Sequence, residues 1–305
     1  MTPGTINVDK GGSMLKLKGA MVAIVTPFKG GVVDEEALKK LTERQIEAGI
    51  DCIVPCGTTG EAATLDPNEY EKVVGTVVDV AKGRVPVIAG AGTNNTKKVI
   101  EIAKIAESLG VDAILSVAPY YNKPTQEGLY RHYKTIAENI KTGLVLYNVP
   151  GRTSVNILPE TAVRLSEIDN IIGIKEASGS LNQVSKIIEN KKDNFEVISG
   201  DDFLTLPMMA IGATGVISVS ANVVPELVAQ QCDAFFEGNL AEAKKLHHQL
   251  FRLHEAMFYE TNPIPVKTAL AMMGLIEEEF RLPLCEMSQT NKERLKALLK
   301  EYGLV

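Results

Sequence analysis

Eight short apolar runs, each followed by room for one helix, constrain the fold of this 305-residue chain more than any other feature. The runs are rich in β-branched residues and cover residues 21–28, 52–58, 85–92, 112–119, 143–150, 171–178, 195–202 and 214–222. Because both faces of the runs are apolar, the pattern predicts buried parallel strands. Successive runs start roughly 19 to 33 residues apart, which leaves room for a helical crossover. Eight such units predict an α/β fold of the (β/α)8 TIM barrel type.

The stretches between the runs have the apolar spacing and the end signals of helices. Asp34 and the two glutamates after it open one segment, where acidic side chains favour the positive end of a helix dipole. Gly110 ends another at the position where a left-handed residue closes many helices. The pair Asp201 and Asp202 is interpreted as a helix cap. The predicted helices cover residues 34–48, 67–82, 94–109, 126–140, 159–168, 203–211, 224–236, 239–259, 265–275 and 289–302.

The strand pattern stops after the eighth run, whereas helical patterns continue to the end of the chain. We therefore predict a catalytic barrel over residues 14–237 and a C-terminal helical domain, packed on the barrel, over residues 238–305. Residues 1–13 are polar and Gly-rich, and we interpret them as a flexible leader or tag. A doubly wound nucleotide-binding sheet is the structural alternative. Residues 26–31 and 90–95 are the two turns where its GxGxxG signal would lie, and neither contains the complete pattern.

Composition and charge exclude several classes of function. Acidic residues outnumber basic ones 38 to 32, and the sequence has no basic block, so general nucleic-acid binding is disfavoured. No apolar run reaches the length of a membrane-spanning helix, and no secretory signal is visible. The sequence therefore predicts a cytoplasmic protein that binds neither nucleic acid nor membrane.

Metal and thiol chemistry are also disfavoured by the sequence. All four histidines fall in predicted helices rather than at strand ends: His132, His247, His248 and His254. A metal-dependent lyase would need a cluster of such ligands facing one site, so we expect no metal and no cofactor. The cysteines lack the spacing of a zinc site, and we expect them to be reduced core thiols: Cys52, Cys56, Cys232 and Cys285.

Lys175 is the most reactive side chain at a predicted strand end. It lies in the otherwise apolar run IIGIKEA, and alternation places it on one face with Ile171 and Gly173. If that face points into the barrel, burial disfavours the ammonium form, and a neutral lysine amine attacks carbonyl carbons. The alternative is a strand-end lysine whose ammonium reaches water.

Three neighbouring motifs supply groups that such a lysine would need. Tyr147 ends the preceding strand, where a phenol can move protons, or it is a core tyrosine with a paired hydroxyl. Thr58 and Thr59 lie in GTTGE, whose hydroxyls and backbone N–H groups suit a small carboxylate, although a plain β-turn is the alternative. Arg152, one loop beyond Tyr147, can hold a second carboxylate with its two-pronged guanidinium, or it is simply solvated.

Taken together, five motifs resemble the pyruvate-dependent class I aldolases, the superfamily of dihydrodipicolinate synthase and N-acetylneuraminate lyase. The resemblance runs from about residue 17 to residue 304, and its motifs are GTTGE (57–61), PYYNKP (119–124), YNVPGRT (147–153), GIKE (173–176) and NPIPVK (262–267). The threonine pair and Arg152 favour the dihydrodipicolinate synthase branch. The alternatives are another aldolase of the superfamily, acting on 2-keto-3-deoxy sugar acids or N-acetylneuraminate, and a catalytically silent relative that binds an oxo acid.

The resemblance implies a role for each matching residue. Lys175 forms a Schiff base with pyruvate, and Tyr147, Thr58 and Tyr121 form the proton relay. The pyruvate carboxylate is held by Thr58 and Thr59 with backbone groups near Gly200 and Ile217, and Arg152 anchors the carboxylate of L-aspartate 4-semialdehyde. The resemblance also implies a homo-oligomer, usually a tetramer built from two tight dimers, in which Tyr121 reaches the neighbouring subunit's site.

The sequence departs from the lysine-inhibited members of this family. Their effector pocket uses a histidine and a carboxylate, whereas this chain has Ala62, Pro67, Tyr70 and Lys98 at the corresponding places, and only Asn94 and Tyr120 match. Lys98 would repel the ammonium of lysine where a glutamate would attract it, at a cost on the order of 1 kcal/mol. We therefore expect weak or absent feedback inhibition by lysine.

Overall fold

A computed structural model describes residues 15–305, so the predicted leader over residues 1–13 lies outside the described residues. Ten strands occur in this part of the chain: β1 Gly19–Ala23, β2 Phe28–Lys29, β3 Val32–Val33, β4 Cys52–Val54, β5 Ile88–Gly90, β6 Ala113–Val117, β7 Gly143–Asn148, β8 Ile171–Glu176, β9 Glu196–Ser199 and β10 Gly215–Ser218. All except β2 and β3 belong to one sheet, in the order β4-β1-β10-β9-β8-β7-β6-β5. Each recorded pairing of that sheet is parallel. The predicted α/β fold of the (β/α)8 TIM barrel class is confirmed.

Helices follow the strands of this sheet along the chain. They are α1 Glu35–Glu47, α2 Pro67–Ala81, α3 Thr96–Ser108, α4 Gln126–Ala137, α5 Pro150–Thr153, α6 Pro159–Ser166, α7 Leu181–Asn190, α8 Thr205–Ala210, α9 Pro225–Phe236, α10 Leu240–Ala256, α11 Ile264–Met272 and α12 Gln289–Glu301. Short 3-10 helices cover Ala62–Thr64, Asp202–Leu204 and Ser220–Asn222. The helix ends match their sequence signals: Asp34 caps α1 by accepting from the Ala37 N–H, and Gly110 follows α3 with a φ of 87°.

Several features differ from the sequence prediction, including the unpredicted single-turn helix α5. Strands β2 and β3 form an antiparallel hairpin, because Gly30 and Gly31 adopt the positive φ values of 61° and 83° that a tight two-residue turn requires. Helix α7 lies outside the predicted helices, although Ser180 marks its start by accepting a hydrogen bond from the Gln183 N–H. The predicted runs also extend beyond the strands, since apolar residues continue into the buried turns.

The chain divides into two compact units, one formed by the residues up to Gly19 with Val87–Ile217, and one formed by Ala20–Pro86 with Ser218–Val305. The first unit contains strands β5 to β9 and most of β10. The second contains the β1–β4 pair, the hairpin and helices α9 to α12, so the C-terminal helices group with the first two helices of the chain. The predicted domain boundary at residue 238 remains a prediction.

Most side chains in the middle of the first unit's strands are apolar and buried. The β6 and β7 residues Ile114, Leu144 and Val145 are inaccessible to solvent, as are the β8 and β9 residues Ile174 and Val197. Side chains on both faces of these strands are therefore buried, as expected for a parallel sheet that helices cover. Because the carboxyl ends of parallel strands share one edge, side chains at those ends can be collected into one site.

Candidate active site

Lys175 and Tyr147 face each other at the carboxyl ends of β8 and β7. The two residues are direct partners in the parallel register, and the Lys175 Nζ lies 4.4 Å from the centroid of the Tyr147 ring. Both are buried, with 5% and 7% of their surface exposed. The alternative of a lysine that reaches water is therefore wrong, because the β8 face that bears Lys175 is covered. An amine held beside a phenol in such a place can act as a nucleophile with a proton donor next to it.

Gly200 leaves the space that the Lys175 side chain occupies. A Cβ built on Gly200 would lie 3.1 Å from both Cε and Cγ of Lys175 and 2.8 Å from the Cβ of Ala177. The Gly200 N–H donates to the Glu176 carbonyl at 2.8 Å, which fixes the backbone beside β8. Ile217 is buried near the carboxyl end of β10. Gly200 therefore lies beside the Lys175 side chain, and a Cβ at this position would require that side chain to move by a few tenths of an ångström.

Arg152 and Tyr121 lie on loops that follow β7 and β6. Arg152 is exposed in the single turn α5, which Thr153 anchors by donating its hydroxyl to the carbonyls of Val149 and Val155. Tyr121 has 89% of its surface exposed and a φ of 69°, a left-handed conformation that few tyrosines adopt. These loops present a cation and a phenol to the outside of the unit.

Thr58 and Thr59 belong to the other compact unit, in the turns that follow β4. Thr59 is buried, and its Oγ1 accepts a hydrogen bond from the Asn262 Nδ2 at 3.0 Å, whereas Thr58 is half-buried. Asn262 begins the NPIPVK motif, to which sequence analysis assigned no separate role. Through this contact the NPIPVK and GTTGE motifs meet in the fold, although Asn262 and Thr59 are 203 residues apart in the sequence.

A buried ion pair holds the end of the GTTGE motif in the same unit. The Lys267 Nζ lies 2.5 Å from the Glu61 Oε1, and the two side chains have exposures of 0% and 1%. Glu61 itself has a positive φ of 51°. Burial lowers the pKa of Lys267, and the Glu61 carboxylate opposes this shift. Sequence analysis missed this pair because neither residue lies at a strand end, although both stand within recognised motifs.

Asp201 adds an acidic group next to Gly200. It precedes the 3-10 helix Asp202–Leu204, but its side chain makes no capping hydrogen bond there, so the predicted cap of a helix over residues 203–211 is wrong: α8 begins at Thr205 after Leu204. Burial raises its pKa to about 6, with a further contribution from the charge of Asp202, and the positive charge of Lys175 acts in the opposite direction. A half-buried carboxyl group that senses the Lys175 charge is therefore part of the electrostatic environment of the lysine.

The other groups considered in the sequence are possible metal ligands, the cysteines and membrane-spanning segments. Across residues 15–305, no group of three His, Cys, Asp or Glu side chains could hold a metal ion. Cys52, Cys56 and Cys232 are buried thiols outside any disulfide, as predicted, but Cys285 is exposed, because it lies in the irregular segment between α11 and α12. No helix in the described part of the chain is sufficiently long and apolar to span a membrane.

The structure also places the residues that the family resemblance aligns with the expected effector pocket. Tyr70 in α2 is buried, and Pro67 opens the same helix. Lys98 is exposed near the start of α3. Burial raises the pKa of the Tyr70 phenol. Tyr70 and Pro67 therefore belong to a packed helix, and the cationic Lys98 faces solvent.

Comparison with known proteins identifies the family. The model of the dihydrodipicolinate synthetase family matches residues 16–302. A 4-hydroxy-tetrahydrodipicolinate synthase of Thermodesulfovibrio yellowstonii is 59% identical over 288 residues, which cover 94% of this chain and 99% of that protein. The crystal structure of dihydrodipicolinate synthase from Aquifex aeolicus has a TM-score of 0.93 at 48% identity, covering 94% of this chain and 99% of that one.

A relative crystallised with a ligand has the same fold. The dihydrodipicolinate synthase of Acinetobacter baumannii, described as chloride-inhibited and complexed with pyruvate, has a TM-score of 0.93 at 47% identity, covering 95% of this chain and 100% of that one. These matches confirm the expectation of an enzyme of the lyase class and the choice of branch within the superfamily. The buried lysine, its tyrosine partner and the full-length match agree, and this chain belongs to the dihydrodipicolinate synthetase family.

Proposed function

We propose that this chain condenses pyruvate with L-aspartate 4-semialdehyde to 4-hydroxy-tetrahydrodipicolinate, the condensation step of lysine and diaminopimelate biosynthesis. The observation that carries the proposal is the buried Lys175 amine, 4.4 Å from the Tyr147 ring, in a chain whose curated relatives are named for this reaction. The chemistry needs a nucleophile for a ketone and a proton donor beside it, and this pair supplies both.

The reaction begins at the Lys175 amine. Its nitrogen adds to the keto carbon of pyruvate, and loss of the former carbonyl oxygen as water gives a protonated Schiff base. A methyl proton is then removed to form the enamine, whose carbon attacks the aldehyde of the second substrate. The amine of that substrate closes the ring by attacking the Schiff-base carbon, and the product leaves while Lys175 regains its free amine. Tyr147, Thr58 and Tyr121 carry the protons between these steps.

Two carboxylates must be held while these bonds form. Thr58 and Thr59 bind the pyruvate carboxylate together with backbone groups at Gly200 and Ile217, positions where the backbone is fixed by β9 and β10. Arg152 binds the carboxylate of the aldehyde substrate, because its guanidinium can donate two parallel hydrogen bonds. The exposure of Arg152 on the loop after β7 supports this assignment, since a substrate must reach it from solvent.

The enzyme works in the cytoplasm as a homo-oligomer, a tetramer formed by two tight dimers. The conformation of Tyr121 supports this part of the proposal. A tyrosine that is 89% exposed and held at a positive φ gains a packing partner when a second subunit covers it. No metal or cofactor takes part in the mechanism.

Borohydride trapping tests the proposal directly. The protein is incubated with pyruvate, reduced and analysed by mass spectrometry of the intact chain and its peptides. We expect one pyruvate-derived adduct on Lys175, no adduct in a Lys175→Ala variant, and an unchanged adduct in a Lys98→Ala control, which removes an exposed lysine. Absence of an adduct on the folded wild-type protein would contradict the proposal and favour a silent oxo-acid-binding relative.

The choice of aldehyde separates the synthase from the other aldolases. With pyruvate present, L-aspartate 4-semialdehyde should be consumed, whereas N-acetylmannosamine and glyceraldehyde should not. The reverse preference would assign the chain to the N-acetylneuraminate or sugar-acid aldolases, even if the Lys175 adduct forms.

A further inference from the structure

A buried network of polar side chains lies on the outward face of the two strands that bear Lys175 and Tyr147. Asn148 and Glu176 each follow one of these residues, and they are themselves partners in the β7–β8 register. Their exposures are 0% and 1%. Because successive side chains of a strand point to opposite faces, this second pair lies behind the lysine and the tyrosine. Burial of a carboxylate at this place requires compensating hydrogen bonds.

Four side chains form the network. The Glu176 Oε2 accepts from the Asn148 Nδ2 and from the Gln183 Nε2, each at 2.9 Å, and the Oε1 accepts from the Ser178 N–H at 2.6 Å. The Asn148 Nδ2 also donates to the Asn156 Oδ1 at 2.7 Å. The Asn156 Nδ2 in turn donates to the Gln183 Oε1 at 2.9 Å, so the amides of Asn148, Asn156 and Gln183 form a chain around one carboxylate.

The carboxylate sets the direction of every hydrogen bond in this chain. An ionised glutamate only accepts, so Asn148 and Gln183 must present their NH2 groups to it. Gln183 then presents its carbonyl oxygen to Asn156, and Asn156 presents its own oxygen to Asn148. Glu176 therefore favours one orientation for three amides. The backbone of Ile157 favours the same orientation for two of them, because its N–H donates to the Asn148 Oδ1 and its carbonyl accepts from the Gln183 Nε2 at 3.3 Å. A glutamine at position 176 would place an NH2 group against two other NH2 groups or against a backbone N–H.

The network also reaches the loop that bears Arg152. The Asn148 Oδ1 accepts from the Ile157 N–H at 2.9 Å, and the Asn156 carbonyl accepts from the Gln126 Nε2 at 2.8 Å. These bonds fasten the end of the segment that runs from Tyr147 through Arg152. The same four side chains thus tie β7, β8, α7 and this loop together.

We propose that Glu176 is a positioning residue, which through Asn148, Asn156 and Gln183 fixes the Tyr147–Lys175 spacing and the loop of Arg152. The inference rests on the proposed function, because it assigns Lys175 as the nucleophile. Its physical basis is geometric: reacting groups that are misplaced by about 1 Å can lose about a hundredfold in rate.

The first test compares Glu176→Gln with a control at the other end of β7. The Glu107 carboxylate accepts from the N–H groups of Lys141 and Thr142, just before β7 begins, so Glu107→Ala removes hydrogen bonds from the same strand far from its carboxyl end. At saturating pyruvate and at a temperature where all proteins are folded, we expect the trapping rate of Glu176→Gln to fall about tenfold to a hundredfold. The Glu107→Ala rate should stay within about twofold of wild type, whatever its melting temperature.

A second test covers the case in which Glu176→Gln is slow only because it is unstable. It exchanges the hydrogen-bond donor on β7 with the acceptor on β8. The double variant Asn148→Asp with Glu176→Gln moves the carboxylate from β8 to β7. The amide introduced at position 176 can then donate to the carboxylate introduced at position 148. It can also donate to the side-chain oxygen of Gln183, once the Gln183 amide has rotated by half a turn. An Asn156 amide rotated in the same way donates to the carboxylate at position 148. The hydrogen bonds among the four side chains are restored with their directions reversed, and the hydrogen bond that is lost is the long one, at 3.3 Å, from the Gln183 Nε2 to the Ile157 carbonyl. We expect each single variant to be slow and the double variant to recover most of the wild-type trapping rate.

The outcomes separate the inference from the proposed function. A wild-type protein that forms no Lys175 adduct contradicts the proposed function. A wild-type adduct together with an unimpaired Glu176→Gln rate overturns the positioning role alone. A folded double variant that stays as slow as the single variants also overturns it, because hydrogen-bond direction would then not be what matters.

Discussion

The buried Lys267–Glu61 pair makes a quantitative prediction about stability. The pair is fully enclosed, and the Lys267 Nζ also lies 4.3 Å from the centroid of the Phe28 ring and 5.2 Å from that of Phe280. Lys267→Met keeps most of the side-chain volume and removes the cation. The Glu61 carboxylate would then remain buried, with the Arg281 N–H 3.4 Å from its second oxygen. Breaking such a pair from one side costs about 3 to 5 kcal/mol.

An exposed pair provides the control. Lys39 and Glu36 are 2.7 Å apart in α1, with 45% and 74% of their side chains exposed. Because water screens an exposed pair of this kind, Lys39→Met should change the free energy of unfolding very little. Adding Glu61→Gln to Lys267→Met removes the isolated charge, and this double variant should regain much of the lost stability.

Urea denaturation followed by circular dichroism measures these differences. Midpoints and slopes are compared for all variants, so a change in the unfolded state would be visible as a change in slope. A loss of less than about 1 kcal/mol for Lys267→Met, similar to that for Lys39→Met, would refute the reasoning. It would mean that the Glu61 carboxylate finds water or another cation as soon as the lysine is removed.

Three other perturbations should have measurable effects. Gly200→Ala places a Cβ 3.1 Å from the Lys175 side chain, so borohydride trapping should slow about tenfold or more while the far-ultraviolet spectrum is retained. Burial lowers the pKa of His132 to about 4, so the unfolded chain binds more protons than the folded protein between pH 4 and pH 6.5, and the protein loses up to about 3 kcal/mol of stability as pH falls through that window. The free energies of unfolding of wild type and His132→Gln at pH 7 and pH 4 measure this loss. An equal difference between the two proteins at both pH values would contradict it. The family resemblance aligns Lys98 with a position where an acidic group attracts the effector, so we expect L-lysine at submillimolar concentration not to halve the activity. Half-inhibition at that concentration would disprove the expectation.

Much of the fold could be read from local sequence because its signals are local. Apolar runs predicted the eight strands, and Asp34 and Gly110 marked helix ends that the structure has at those residues. The hairpin of β2 and β3 was not predicted, since its strands are only two residues long. Helix α7 was missed for a different reason, because its cap residue Ser180 stands in a short polar stretch that also reads as a turn.

The reactive residues of the candidate site could be predicted from the sequence, whereas the residues that hold them in place could not. Lys175 stands out because an ionisable side chain within an apolar strand requires an explanation, and Tyr147 stands out because it ends the neighbouring strand. Nothing in the local sequence indicates that Glu176 accepts from Gln183, or that Asn262 donates to Thr59 across 203 residues. Such contacts depend on where the strands place distant segments.

The sequence by itself determined the eight strands of the barrel, most of the helices between and after them, the class of fold and the residues that can carry the chemistry. It could do so because strand burial, helix capping and the reactivity of an amine follow from residue type and spacing. Only the tertiary structure decided which polar groups are enclosed and what compensates them. Glu61 forms an ion pair with Lys267, and Glu176 accepts hydrogen bonds from the Asn148 amide and from the Ser178 N–H. A buried carboxylate is tolerated only where the fold brings donors to both of its oxygens.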